Sequence, residues 1–319
     1  VLHVGIDEAG YGPLLGPLVI GLSAWRVQGA TQDEDPGGVL AQRLGALVVP
    51  ARGRRPREAL PVPVDDSKRL HGRDGVTGLA RAVGAFAAAL DQAPPADLED
   101  LLRRYGEVPP SAFRALPWFA TLADEAVPRY PWTGPLHEAF DACGVAALDL
   151  RAWAVDVPAF NDALADGSKA DVLARFGGCL LTRFLDRFPG EDAHIVFDRH
   201  GSRRDYRAWL GALFPFAPLA EVVRAPHESR YRIDLPDRRL HLAFRTRADG
   251  NDLAVAWASV LAKLTRELFM GRLNAWFGER VPGLRPTAGY VTDGRRFLAD
   301  VAPVLERERI PGDWLVRAR

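Results

Sequence analysis

The chain has 319 residues, 48% hydrophobic and 26% charged, and its 41 basic residues balance 41 acidic ones. That is the composition of a soluble globular protein with a core to bury, and zero net charge excludes a global field drawing it to nucleic acid or membrane. No apolar run approaches the ~20 residues of a membrane span, nothing resembles a signal peptide, and the pair Cys143 and Cys179 offers neither a disulfide framework nor zinc spacing. Two buried thiols in a reduced, cytoplasmic setting are expected.

Residues 3–27 predict two strands joined by a glycine loop, with Val4, Ile6 and Leu18-Val19-Ile20 as buried strand positions. The first strand runs into two adjacent acids, Asp7 and Glu8. Neighbouring strand residues point to opposite faces, so both cannot simply turn outward, and an apolar core punishes an unpaired carboxylate. The Gly-, Pro- and Arg-rich stretch 28–60 reads as an irregular excursion with one short strand. "VDDSKRLHGRDG" then feeds an alanine-rich helix, and 73–145 is expected to form a mostly helical insertion. In that insertion Trp118 and Trp132 each follow a proline and are expected to be core residues.

"LDLRAWAV" returns to a strand followed by a turn, and a helix is predicted at about 168–187, before the strand "AHIVFD". Residues 219–247 give two or three alternating strands. The strongest helix follows in "ADGNDLAVAWASVLAKLTRELFMGRLNAWF". Leu253, Trp257, Val260, Leu261, Leu264 and Leu268 form its apolar stripe, while Asp252, Ser259, Lys263 and Arg266 share another face. A last helix is predicted near 295–307. The order predicts an α/β protein, a mixed sheet with helices on both sides, as a single domain over 1–319.

Asp7 and Glu8 have company at element ends. "AHIVFD" also stops on an acid, Asp198, and "ADGND" sits just before the strongest helix. A carboxylate cluster at one sheet edge would suit hard divalent cations, and two such ions serve phosphodiester hydrolysis. The alternative is unrelated strand-end acids plus a helix-capping Asp.

The motifs resemble the type 2 ribonucleases H. "GIDEAGYGPLLGPLV" resembles that family's opening signature, G-[IV]-D-E-A-G-R-G-P, and "DDSKRL" its Asp-Ser-Lys segment. "VDVPAFNDAL" is similar to its Ile-Asp-x-x-Asn turn, "HIVFDRHG" to its strand ending in Asp, "ADGNDLAVAWASVLAKLTRELFM" to its Ala-Ser-Ile-x-Ala-Lys-x-x-Arg helix, and "AGYVTDG" to its Gly-Tyr loop. The blocks keep the family order. The resemblance implies a ribonuclease H-like mixed sheet with flanking helices and a helical C-terminal part. It also implies four acids holding two Mg2+ or Mn2+ ions and hydrolysing the RNA strand of RNA–DNA hybrids. Carried over, the catalytic and metal-binding acids are Asp7, Glu8, Asp198 and Asp249, with Asp252 the runner-up. Gly10, Tyr11, Gly12, Ser67, Lys68, Lys263, Arg266 and Tyr290 are the candidate nucleic-acid contacts. A monomer with no organic cofactor and no membrane is expected.

There are departures. Tyr11 stands where the family signature has Arg, the 73–145 segment is longer than the family's, and 205–247 is expected to hold an extra hairpin. These bear on substrate choice more than on chemistry. A binding module of the same fold with weak catalysis, or a nuclease for another structured nucleic acid, are the competing readings. Gly10-Tyr11-Gly12 leads into a strand and not a helix, which removes a dinucleotide-loop reading. His200, two residues past Asp198, is a candidate neighbour of the site, and Arg54-Arg55 and Arg203-Arg204 are candidate groove cations.

Overall fold

The computed structural model describes residues 1–31, 34–50, 61–129, 136–165 and 167–318. Trp132 and Arg54-Arg55 lie outside them. The chain runs β1 (Leu2–Ala9), β2 (Leu18–Val27), α1 (Pro36–Leu44), β3 (Val48–Val49), β4 (Val62–Pro63), α2 (Ser67–Ala89), α3 (Leu98–Tyr105), α4 (Leu136–Ala142) and β5 (Val145–Val155). It continues through α5 (Val157–Leu164), α6 (Lys169–Arg187), β6 (Ala193–Asp198), α7 (Arg207–Leu213), β7 (Leu219–Arg224), β8 (Glu228–Asp234), β9 (Arg239–Arg245), α8 (Leu253–Gly278) and α9 (Val291–Glu308).

Seven strands form one sheet in the order β5-β2-β1-β6-β9-β8-β7. β1 is antiparallel to β2 and β2 to β5, whereas β1, β6 and β9 run parallel. This is the mixed sheet that the order of elements in the sequence predicts. Strand alternation divides the core. Leu2, Val4, Ile6, Leu18, Ile20 and Leu22 pack with Phe160, Leu180, Leu181 and Phe184 of α5 and α6. The opposite face of β1 and β2 carries α8 at backbone contact: a Cβ built on Gly5 would lie 2.1 Å from Val255 N, and one on Gly21 2.1 Å from Ala258 O. Only glycine permits that approach.

Several expectations need correction. The irregular stretch after residue 28 contains helix α1, begun by Pro36, where a fixed φ suits the first turn. The turn expected after β5 is helix α5, whose first residues are capped by Asp156 accepting from Ala159 N–H. The stretch 205–247 is more than a hairpin, because β9 lies inside the main sheet, pairing with β6 from Ala193↔Leu240 to Asp198↔Arg245. Only β7 and β8 extend the edge. Cys143 and Cys179 are free thiols, half-buried and not buried.

Among its described residues, the 73–145 segment holds most of α2, then α3, three short 3-10 turns and α4. It packs its aromatics onto α8: Trp118 stacks on Phe277, and Phe113 and Phe119 meet Phe269 edge-on. Trp118 is thus core, 1% exposed. No helix among the described residues is long and apolar enough to cross a membrane.

Candidate active site

The parallel ladder between β1 and β6 ends at Ile6↔Phe197. Past that end Asp7 and Glu8 no longer lie beside a strand partner on that side, and both carboxyls reach one cleft, where Asp198 joins them. Ligand oxygens of Asp7, Glu8 and Asp198 all lie within 4.8 Å of one another. The cleft, roughly 300 Å³, is also lined by Asp66, Ser67, Lys68, Arg247, Asp249 and Ser259.

Local backbone chemistry places each group. Arg247 is left-handed (φ 56°), and the turn it makes sends Ala248 N–H to Asp198 Oδ1 at 2.9 Å. Asp249 then faces the cleft. Asp66 caps α2, accepting from Lys68 N–H and Arg69 N–H, so the helix starts at the cleft edge and delivers exposed Lys68 to it. Ser67 Oγ and Ser259 Oγ are 2.9 Å apart, tying the head of α2 to α8 beside Asp7.

Crowded like charges and burial act together here. Asp7 is pushed well above the usual carboxylate range by burial first, then by Glu8, Asp198 and Asp249. Glu8 rises to about 8 through burial and Asp198, with Lys68 opposing. Asp249 rises to about 6 through burial, Asp66 and Asp198. Asp198 is raised by burial, against the N–H groups of Ala248 and Arg199.

Asp252 is elsewhere. It caps α8, accepting from Ala254 N–H and Val255 N–H, and pairs with buried His3 at 3.0 Å. It does not line the cleft.

The glycine loop is left-handed at Gly10 (φ 91°) and Gly16 (φ 80°), where L side chains are disfavoured, while a Cβ on Gly12 would meet open space. Tyr11 is half-buried, its hydroxyl beside Gly201 and within the field of Arg203. The Gly-Tyr loop docks on this loop: Gly289 O accepts from Leu14 N–H at 2.7 Å and Leu15 N–H at 3.1 Å. Tyr290, 53% exposed, stands next to it.

Three expected contacts are corrected. Arg266 is 1% exposed, and its Nη2 donates to Leu15 O and Ala288 O, so no phosphate reaches it. Lys263 donates to Glu267 Oε1 at 2.6 Å and does not line the cleft. The physical reason is that α8 is covered on nearly all sides, which leaves little solvent face for cations. His200 is 2% exposed among Phe197, Tyr206, Trp209 and Phe244, and burial drives its pKa down to about 3. It stays neutral and away from the acids. Arg203 is engaged by Asp171, and Arg204 is exposed.

Sequence reasoning missed Asp66 and Arg247. Asp66 carries a readable signal, an Asp immediately before Ser-Lys at a helix start; Arg247 carries none, since its position follows from a backbone turn.

No protein-family model matches the chain, and no curated protein matches it. Among solved structures it is similar to RNase HII from Archaeoglobus fulgidus, in a complex with PCNA, at 17% identity and TM-score 0.42, covering 100% of this chain and 95% of that one. It is similar to ribonuclease H2 from Pyrococcus horikoshii OT3 at 14% identity and TM-score 0.41, covering 99% and 92%. Bst-RNase HIII in complex with Mn2+ matches at 16% identity and TM-score 0.42, covering 99% of this chain and 66% of that one.

Proposed function

We propose that the protein is a metal-dependent endonuclease of ribonuclease H type, hydrolysing the RNA strand of RNA–DNA hybrids and leaving 5′-phosphate and 3′-hydroxyl ends. The observation that supports this most is the convergence of Asp7, Glu8 and Asp198 within 4.8 Å, in a cleft that Asp249 also lines. The sequence blocks, in the order of the type 2 ribonucleases H, supply the reaction class.

The residues fit divalent ions. Every donor is a carboxylate oxygen, the set that hard cations select, and the crowding that raises these acids is what a bound cation relieves. Asp7, Glu8, Asp198 and Asp249 would hold the ions. Two Mg2+ or Mn2+ ions there supply the Lewis acidity for phosphodiester hydrolysis.

The chain's own groups do the rest. Lys68 presents an ammonium to the scissile region from the head of α2, and Ser67, bonded to Ser259, fixes that head against α8. Gly12, where a Cβ would point into open space, lets the backbone approach a strand closely. Tyr290 offers an exposed ring for stacking or one hydrogen bond to sugar.

Cleavage of matched labelled duplexes tests this: continuous RNA–DNA hybrid, a single embedded ribonucleotide, double-stranded RNA and DNA. Hybrid cleavage that needs Mg2+ or Mn2+ is expected, with Asp7→Asn slower by orders of magnitude yet folded. Near-normal cleavage by Asp7→Asn refutes the assignment.

A further inference from the structure

Two arginines lie buried beneath the glycine loop. Arg266 of α8 is 1% exposed, and Arg317, in the segment after α9, is 2% exposed. Arg317 has no carboxylate partner among the described residues; Arg266 has only Glu267, at 3.8 Å. Burial and the neighbouring Arg266 pull the Arg317 pKa down to about 9. An apolar side chain would fill the space without that desolvation. What a guanidinium adds is several donors of fixed direction.

Those donors go to the loop. Arg317 Nε donates to Gly16 O at 2.8 Å and its Nη1 to Gly10 O, while Arg266 Nη2 donates to Leu15 O at 3.3 Å. In a trans peptide the carbonyl and the following N–H point opposite ways. Drawing Gly10 O inward therefore turns Tyr11 N–H outward, and that N–H has no protein acceptor among the described residues.

The segment carrying Arg317 is itself pinned. Arg317 N–H donates to Leu14 O at 2.9 Å, and Val316 forms an antiparallel bridge with Leu15. Asn161 of α5 donates to Asp313 O and Val316 O, each at 3.0 Å, and accepts from Ala318 N–H at 2.7 Å. The guanidinium also lies 4.6 Å from the Phe160 ring centroid.

We propose that Arg317 is a positioning residue: it holds the Gly10–Gly16 loop in the orientation that meets a nucleic-acid backbone, and Asn161 secures the segment that carries it. The catalytic consequence rests on the function proposed above; the loop geometry does not.

Arg317→Met, Arg317→Lys and Asn161→Ala test it by steady-state cleavage of a hybrid duplex and by amide hydrogen exchange. For Arg317→Met, KM should rise about tenfold with kcat within about threefold, because the loop binds and the acids react. Exchange at residues 10–16 should quicken while β1, β6 and α8 keep their protection. Arg317→Lys should recover part of both effects, and Asn161→Ala should show the same pattern more weakly, carrying the test if Arg317→Met does not fold. Unchanged KM and unchanged exchange at 10–16 overturn the proposal, as does loss of protection spread evenly over the protein. If the natural chain cleaves no duplex, the functional reading fails, and exchange at 10–16 alone decides on Arg317.

Discussion

His3 Nε2 on β1 and the Asp252 carboxylate at the head of α8 lie 3.0 Å apart, both buried. Burial alone would raise Asp252, but His3 and the Val255 N–H hold it below the usual carboxylate range. Its partners thus fix where α8 starts, four residues beyond Asp249, the acid that faces the cleft. Removing Asp252 strands His3 and uncaps the helix, so Asp252→Ala should cost about 3–5 kcal/mol by denaturant unfolding. A carboxylate with a lowered folded pKa stabilises above its unfolded value, about 3.9, and that contribution is lost as pH falls through the folded value. Asp249→Asn should do the reverse: it relieves repulsion, leaves metal-free stability equal or higher, and weakens stabilisation by Mg2+. If Asp252→Ala abolishes the Mg2+ effect and Asp249→Asn does not, the two roles are exchanged.

The metal-free acid cluster sets a pH dependence of opposite sign. Glu8 at about 8 and Asp249 at about 6 bind protons more tightly in the folded chain than at their ordinary values. Between the unfolded pKa values and these, the native state holds more protons than the unfolded one, so stability falls as pH rises. Thermal unfolding in EDTA should therefore show the melting temperature declining from about pH 5 to 8. Millimolar Mg2+ or Mn2+ should flatten that decline and raise the melting temperature most at the alkaline end. A melting temperature in EDTA that climbs with pH over this range contradicts the raised values.

Lys68 lies in the fields of Asp249, Asp66, Asp7 and Glu8 while its side chain stays exposed. Lys68→Ala should weaken duplex binding, with KM up several-fold and the salt slope of binding reduced by about one. Because Lys68 opposes the rise of Glu8, the same change should also steepen the alkaline loss of metal-free stability. Fluorescence anisotropy across a salt series reads the first effect. An unchanged slope assigns Lys68 to the acids alone.

The strand-end acids were legible because carboxylates are rare in apolar strands, and β1 carries Asp7 and Glu8 in its last three residues while β6 ends on Asp198. Which acid before α8 faces the cleft was legible only through the family resemblance, which put Asp249 ahead of Asp252. The residues alone left both open, since both precede the helix and their separation depends on the left-handed turn at Arg247. The helix itself was visible, but reading Arg266 as a surface cation assumed solvent opposite the apolar stripe. There the long insertion packs Phe113 and Phe119 on Phe269, and the glycine loop covers Arg266, contacts made by residues far apart in sequence. Strand alternation predicted β9 as a strand, whereas its parallel place beside β6 is a property of the crossover and not of the strand's own residues.

Tyr11 bears on substrate choice. In the family that the sequence resembles, the loop arginine and the Gly-Tyr tyrosine are associated with reading a ribose 2′-hydroxyl at an RNA–DNA junction. Here Tyr290 is exposed beside the loop, but Tyr11 carries one hydroxyl and no charge, so it cannot supply a guanidinium's donors. Its hydroxyl already sits beside Gly201, in the field of Arg203. The natural chain should therefore prefer continuous RNA in a hybrid over a single embedded ribonucleotide. Tyr11→Arg should move that preference back toward the single ribonucleotide. The ratio of kcat/KM for the two substrates is the measurement. If the natural protein already cleaves single-ribonucleotide duplexes as well as continuous hybrids, Tyr11 is not the element that selects between them.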